Sequence, residues 1–247
     1  MPRVLVLGGT AEARELARLL HEDPRFTVLS SLAGRVANPR LPVGETRIGG
    51  FGGPSGLAAF LAEDGVDVLV DATHPFAATI SRNAALAAEA AAVPVLALVR
   101  PEWTPVAGDH WTRVPTVAAA AEALSRRGGG RAMLTTGRQD VGEFAALEDW
   151  WFLIRVVDAP SGALPPRHEL LRDRGPYTED SERALLRANG IDVLVTKNSG
   201  GDLVSAKLAA ARELGIDVVV VDRPERPAGV PAVPTAAAAY ARLVGEA

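Results

Sequence analysis

The sequence predicts an α/β protein of two doubly wound parallel-sheet halves with a cleft between them. Three observations carry this. Short, uninterrupted apolar runs alternate with Ala- and Leu-rich stretches of helical period, the pattern of strands covered on both faces by helices. A segment of the first half, "DVLVDATHPFAATISRNAALAAEAAAVPVLALVRPE" (67–102), is echoed by "DVLVTKNSGGDLVSAKLAAARELGIDVVVVDRPE" (192–225). The chain also opens with "RVLVLGGT" (3–10), an apolar run leading into a glycine turn and then a helical pattern, and "RAMLTTGR" (131–138) corresponds to it. Each half is therefore expected to be Rossmann-like.

Taken in order, strands are expected over residues 4–7, 27–31, 68–70, 95–99, 132–135, 152–157, 193–196 and 218–221, each a short apolar run. Helices are expected over 11–20, 56–63, 77–91, 117–126, 181–188 and 204–214, where apolar residues recur at helical spacing. In each half an Arg-Pro-Glu is followed by a Val-Pro-Thr, at 114–116 and 233–235, that opens an Ala-rich helix. Any two βαβ units rich in Ala and Val look alike, but these matched tripeptides go beyond composition. Gly128-Gly129-Gly130 reads as a flexible junction, dividing a cofactor domain over 1–129 from a substrate domain over 130–247. The ligand is expected in the cleft between them.

Composition narrows the function. Of 247 residues, 48% are hydrophobic and 23% charged, enough for a sizeable core under an ordinary surface. A net charge of −4 argues against a nucleic-acid partner. No apolar run approaches the roughly 18 residues that span a bilayer, and the first residues lack the plan of a signal peptide, so a cytoplasmic protein is expected. With no cysteine, thiolate metal sites, iron–sulfur clusters and thiol nucleophiles are excluded. His21, His74, His110 and His168 show no metal-ligand spacing, and no metal is expected.

The first turn points to a nucleotide. A parallel strand feeding a helix through Gly8-Gly9-Thr10 presents backbone N–H groups and a helix dipole to a phosphate. Thr10 offers a hydroxyl donor, and Ala13 is small enough for helix–strand packing. The same residues also suit a plain strand-to-helix turn with Thr10 as N-cap. The second strand, "TVLSSLAGR", lacks the acid that holds the ribose hydroxyls of NAD. It offers instead Ser30, Ser31, Gly34 and Arg35, and an arginine fork suits the 2′-phosphate of NADPH, although Arg35 taken alone also reads as a solvated loop residue.

Other polar turns end the later strands. In "DATHPFA", Thr73 reads as the cap of the next helix, with Pro75 in its first turn, or as lining the nicotinamide end of the cleft. His74 is a weak candidate proton donor, equally a hydrogen-bonded structural histidine. "TKNSGG" places Lys197, Asn198, Ser199 and Gly200 in an anion-binding nest, and "TTGRQD" adds Arg138. "LPPRHELLRDRGPYTEDSE" (164–182), with Arg167, Arg172, Arg174 and Tyr177, reads as a loop over the site. Two cationic turns suggest an anionic substrate. The hydrolase elbow Gly-x-Ser-x-Gly and a Walker-type loop are both absent.

"GGTAEAR", "SLAGR", "DATHPFA", "TTGR", "RGPYTEDSE", "TKNSGG" and "AKLAAARELGIDVVVVDRP", in that order along nearly the whole chain, resemble the precorrin-6A reductase family of cobalamin biosynthesis. "DATHPFA" and "TKNSGG" are the more specific of these. The resemblance implies an NADPH-dependent reductase converting precorrin-6A, or its cobalt-bearing equivalent, to precorrin-6B. It implies NADPH in the N-terminal half and the tetrapyrrole in the cleft, its carboxylate rim suited to Arg138 and Lys197. Gly8, Gly9, Thr10, Ser31, Gly34, Arg35 and Thr73 are then the expected cofactor residues. His74, Arg138, Tyr177, Lys197, Asn198, Ser199 and Gly200 are those expected on the substrate side. The alternatives are an NADPH-dependent reductase of another anionic metabolite and a non-catalytic NADPH-sensing protein.

Overall fold

The computed structural model describes residues 1–34 and 39–246. The chain forms two compact units, one of Met1–Pro101 together with the segment from Pro224 onward, the other Glu102–Arg223. The first unit begins with β1 (Arg3–Leu7), α1 (Ala11–Glu22), β2 (Thr27–Leu32), β3 (Glu45–Ile48), α2 (Pro54–Glu63), β4 (Val68–Asp71), α3 (Ala78–Ala91) and β5 (Val95–Leu98). The second holds β6 (Trp111–Val114), α4 (Val117–Arg127), β7 (Gly130–Thr135), β8 (Trp150–Val156), β9 (His168–Arg172), α5 (Glu179–Ala188), β10 (Val193–Lys197), α6 (Ala206–Leu214) and β11 (Asp217–Val221). The chain then returns to the first unit with β12 (Ala232–Val233) and α7 (Ala236–Glu246).

Each unit is built on a six-stranded parallel sheet, ordered β12-β5-β4-β1-β2-β3 in one and β6-β11-β10-β7-β8-β9 in the other. The two-residue period of a strand sorts the core by face. Val4 and Val6 pack with Leu16 and Leu20 of α1 and with Ala239 and Leu243 of α7. Leu5 and Leu7 pack on the opposite face with Leu57 and Leu61 of α2 and Ala84 and Ala87 of α3. Removing each of these Leu side chains from water contributes about 1.5–3 kcal/mol. In the second unit Met133, Leu153, Leu194 and Val220 bury one face under Leu186 of α5 and Leu208 of α6.

The division expected at residues 129 and 130 is corrected. It falls between α4 and β7, both inside the second unit, because β6 pairs in parallel with β11. Conversely, β12 pairs with β5 of the first sheet. Each sequence half thus ends in a strand and helix that complete the other unit's sheet. The two Val-Pro-Thr segments do the same job in both places. The valine closes the strand, proline breaks it, and threonine caps the helix by accepting from Ala119 N at 3.0 Å or Ala238 N at 3.1 Å.

The three glycines at 128–130 are not a flexible junction. Gly128 caps α4 at φ 84°, while a Cβ on Gly129 would stand 3.0 Å from Asp149 O and one on Gly130 3.2 Å from the Trp150 ring. Backbone conformation and close packing require them. After β7 the turn "TTGR" leads into a single 3₁₀ turn, Val141–Phe144. One further expectation changes. The segment 164–182 is not one loop, since its middle is edge strand β9 and its end is the first turn of α5.

Candidate cofactor and substrate sites

In the first sheet the strand order reverses between β1 and β4, and ligands of open α/β sheets bind beyond the carboxyl ends of strands at such a point. Gly8 follows β1 and donates its N–H to Ser31 O at 2.9 Å. A Cβ on Gly8 would sit 3.4 Å from Leu32 Cδ2 and 3.6 Å from Ala13 Cβ, so the glycine and the small Ala13 let α1 approach the sheet. Gly9 has φ 116° with open space where a side chain would be. That is the room a phosphate needs above the N–H groups of the first turn of α1, which have no partner within the helix. Glu12 in this turn would oppose an anion, but Arg100 holds its carboxylate at 3.0 Å.

Thr10 has a different role from the expected phosphate donor. It is the N-cap of α1, accepting from Ala13 N at 3.0 Å, and its one hydroxyl hydrogen goes to Ala72 O at 2.8 Å. Thr10 therefore ties the β1 turn to the end of β4 across the reversal point.

The ends of β2 and β3 carry a residue that sequence reading missed. Ser31 and Arg47 are neighbours across the ladder, and Arg47 Nη1 donates to Ser31 Oγ at 3.0 Å. The guanidinium lies over the Phe51 ring, 3.9 Å from its centre, and 5.1 Å from that of Phe60. Gly34 turns back at φ 70°, where a Cβ would press Ile48 Cγ2 at 3.2 Å. Arg35, expected to be the cationic reader here, lies outside the described residues.

At the end of β4, Asp71 Oδ1 accepts from Thr73 N at 3.1 Å and Thr73 Oγ1 at 2.6 Å, a closed turn at the carboxyl edge of the sheet. Thr73 does not cap α3, whose N-cap is Ala77. His74 is exposed and its Nδ1 accepts from Phe76 N at 3.2 Å, so a neutral imidazole carries its proton on Nε2.

In the second sheet the order reverses between β7 and β10. Lys197 Nζ ion-pairs with Asp140, and Arg138 stands 3.9 Å from Asp158. The two cations are thus poised at this edge beside carboxylates. Thr136 takes the place that Gly8 has in the first unit, and its buried hydroxyl has no hydrogen-bond partner among the described residues. Gly137 next to it has φ 88° and open space at the Cβ position. Ser199 is buried, and its carbonyl accepts from Arg223 Nη2 at 3.1 Å. Gly200 is buried at φ 67°.

Asn198 does not fit the expectation of a substrate ligand. It is 0% exposed and its amide is spent on the 102–103 segment, accepting from Trp103 N at 2.9 Å and donating to Trp103 O at 3.1 Å and Glu102 Oε2 at 3.2 Å. Tyr177 lies over the Arg155 guanidinium at 3.9 Å, and Arg155 forms a buried two-pronged pair with Glu182. Burial pushes the Tyr177 phenol, already a hydrogen-bond donor at neutral pH, further up.

Among the described residues no group of three His, Cys, Asp or Glu side chains is placed to hold a metal ion, and no helix is long and apolar enough to cross a membrane. The model of the family described as Precorrin-6x reductase CbiJ/CobK matches residues 3–243. A Precorrin-6A reductase of Rhodococcus erythropolis is 53% identical over 98% of this chain and 97% of its own. A Cobalt-precorrin-6A reductase of Priestia megaterium is 31% identical over 90% of this chain and 91% of its own. The solved structure of a CobK precorrin-6A reductase superposes with a TM-score of 0.93 at 43% identity, covering 99% of this chain and 97% of that one.

Proposed function

From the premise that the chain belongs to the Precorrin-6x reductase CbiJ/CobK family, we propose that it reduces the precorrin-6A macrocycle to precorrin-6B with NADPH. The observation that carries the cofactor is the open Gly9 turn feeding a capped helix at a strand-order reversal, with arginine rather than an acid beside the end of β2. NADPH bound there would supply a hydride to one double bond of the macrocycle, with a proton completing the reduction.

The chain's own residues bind and orient. The N–H groups at the start of α1 would hold the pyrophosphate, while Thr10 and the Asp71–Thr73 turn fix the two sides of the reversal point. Arg138 and Lys197 meet the acetate and propionate carboxylates of the tetrapyrrole. Each already faces an acid of its own, Asp158 or Asp140, so a substrate carboxylate enters by sharing or exchanging that partner. The Tyr177 hydroxyl adds a donor. His74 is the acid candidate at the first edge. Holding donor and acceptor carbons in contact supplies much of the rate. The gap between 53% identity to the reductase named for precorrin-6A and 31% to the one named for the cobalt form favours the metal-free substrate.

The test is absorbance of the purified protein with NADPH and precorrin-6A, following the cofactor band and the macrocycle spectrum together. Coupled loss of NADPH and a shifted macrocycle spectrum is the expected result. NADPH bound but unconsumed with either precorrin-6A or its cobalt form would refute the reductase.

A further inference from the structure

We propose that Arg47 is the residue that reads the 2′-phosphate of the nucleotide and so selects NADPH over NADH; this rests on the reading that the β1–α1 turn takes that cofactor. Its place follows from the ladder. Ser31 is the penultimate residue of β2 and is joined to the phosphate turn through Gly8 N, and Arg47 is its partner in register on β3. A dinucleotide running from the glycine turn along this edge brings its adenosine ribose here.

The side chain is held ready for an anion. Arg47 Nη1 donates to Ser31 Oγ at 3.0 Å and Gly49 O at 3.2 Å, and Nη2 donates to Gly50 O at 3.2 Å. These take three of the five guanidinium N–H groups and leave Nε–H and one Nη2–H for a fork onto phosphate oxygens. The Phe51 and Phe60 rings, 5.2 Å apart edge to face, form the platform beneath it. A guanidinium so anchored loses little freedom when a phosphate arrives.

Its hydrogen-bond partners leave its charge uncompensated. Arg3, Arg18, Arg25 and Arg100 of the same unit each pair with a carboxylate. Arg47 has none among the described residues: its three acceptors are a hydroxyl and two carbonyls, all neutral. A partly buried cation with only neutral partners favours a dianion at its open edge.

The experiment is equilibrium binding of NADPH, NADH, 2′,5′-ADP and 5′-AMP to the full-length wild type, Arg47→Met, Arg47→Lys and Arg35→Ala, with a thermal melt of each. Arg47→Met should lose about 10- to 100-fold in affinity for NADPH and 2′,5′-ADP, and no more than a few-fold for NADH and 5′-AMP. Arg47→Lys keeps the charge without the fork and should fall between, and it serves as the reporter if the methionine variant melts early. Equal losses for both cofactors, or selectivity that survives at Arg47→Met and vanishes at Arg35→Ala, would overturn the assignment alone. A wild type that binds NADPH no better than NADH would overturn the NADPH reading and the assignment with it.

Discussion

At the scale of single residues, hydroxyls and amides at the strand ends hold the two sites in shape. Thr10 shows how one small side chain joins two elements. Its oxygen accepts from the α1 backbone and its hydrogen is given to Ala72 O, so the glycine turn and the end of β4 move as one piece. Thr10→Val keeps the volume and loses both bonds. It should cost about 1–3 kcal/mol in urea unfolding and weaken NADPH binding, whereas Thr10→Ser should restore both. Asn198 is the counterpart in the second unit, where a wholly buried amide clamps Trp103. Its residue type in a polar turn suggested a ligand, and only its burial showed that the bonds are turned inward.

At the scale of elements, the returning helix α7 is fastened to α1 by a polar clasp. Tyr240 Oη donates to Asp23 Oδ2 at 2.7 Å, just past the C-terminal end of α1, and Arg25 Nη2 meets the same oxygen at 2.7 Å. The Arg25 side chain first, then its backbone N–H and the tyrosine hydroxyl, hold the Asp23 carboxyl well below the usual carboxylate range. A depressed folded-state pKa means the contribution is complete above the unfolded value, about 3.9, and is lost as pH falls through the folded one. The wild-type lead in Tm over Asp23→Asn should therefore be constant between pH 5 and pH 7. Below about pH 4 that lead should shrink. A lead that persisted unchanged down to the acid end would show that the Asp23 charge contributes nothing to docking α7.

At the scale of the whole molecule, the exchange of β6–α4 and β12–α7 decides which fragments can fold. Residues 1–129 taken alone carry a strand and helix whose sheet is missing, and lack the Ala236, Ala239 and Leu243 that cover Leu16 and Leu20. They also leave β5 as an open edge, a template for aggregation. Residues 1–101 joined by a Gly/Ser linker to 224–247 restore the covered sheet. The joined chain should melt cooperatively by circular dichroism and fragment 1–129 should not. Cooperative melting of 1–129 would show that the exchanged helix is dispensable to the first unit's core.

The sequence by itself determined the two parallel-sheet halves, all eight inner strands and the helices over them. A strand buried on both faces must be apolar along its length, and a helix on a sheet must keep its period. The glycine turn and the polar turns after β4, β7 and β10 were legible for the same reason: they interrupt those patterns at strand ends. The four strands it did not reveal, β3, β6, β9 and β12, are the four sheet edges. Edge strands are half exposed, and "ETRI", "WTRV" and "HELLR" carry no apolar run to betray them. Arg47 escaped notice with β3, since only pairing to β2 brings it to Ser31. Tertiary structure alone decided which sheet each edge joins, because that choice is made by backbone pairing between residues far apart in the chain. It likewise decided whether a polar side chain in a turn faces outward, as His74 does, or is consumed inside, as Asn198 is.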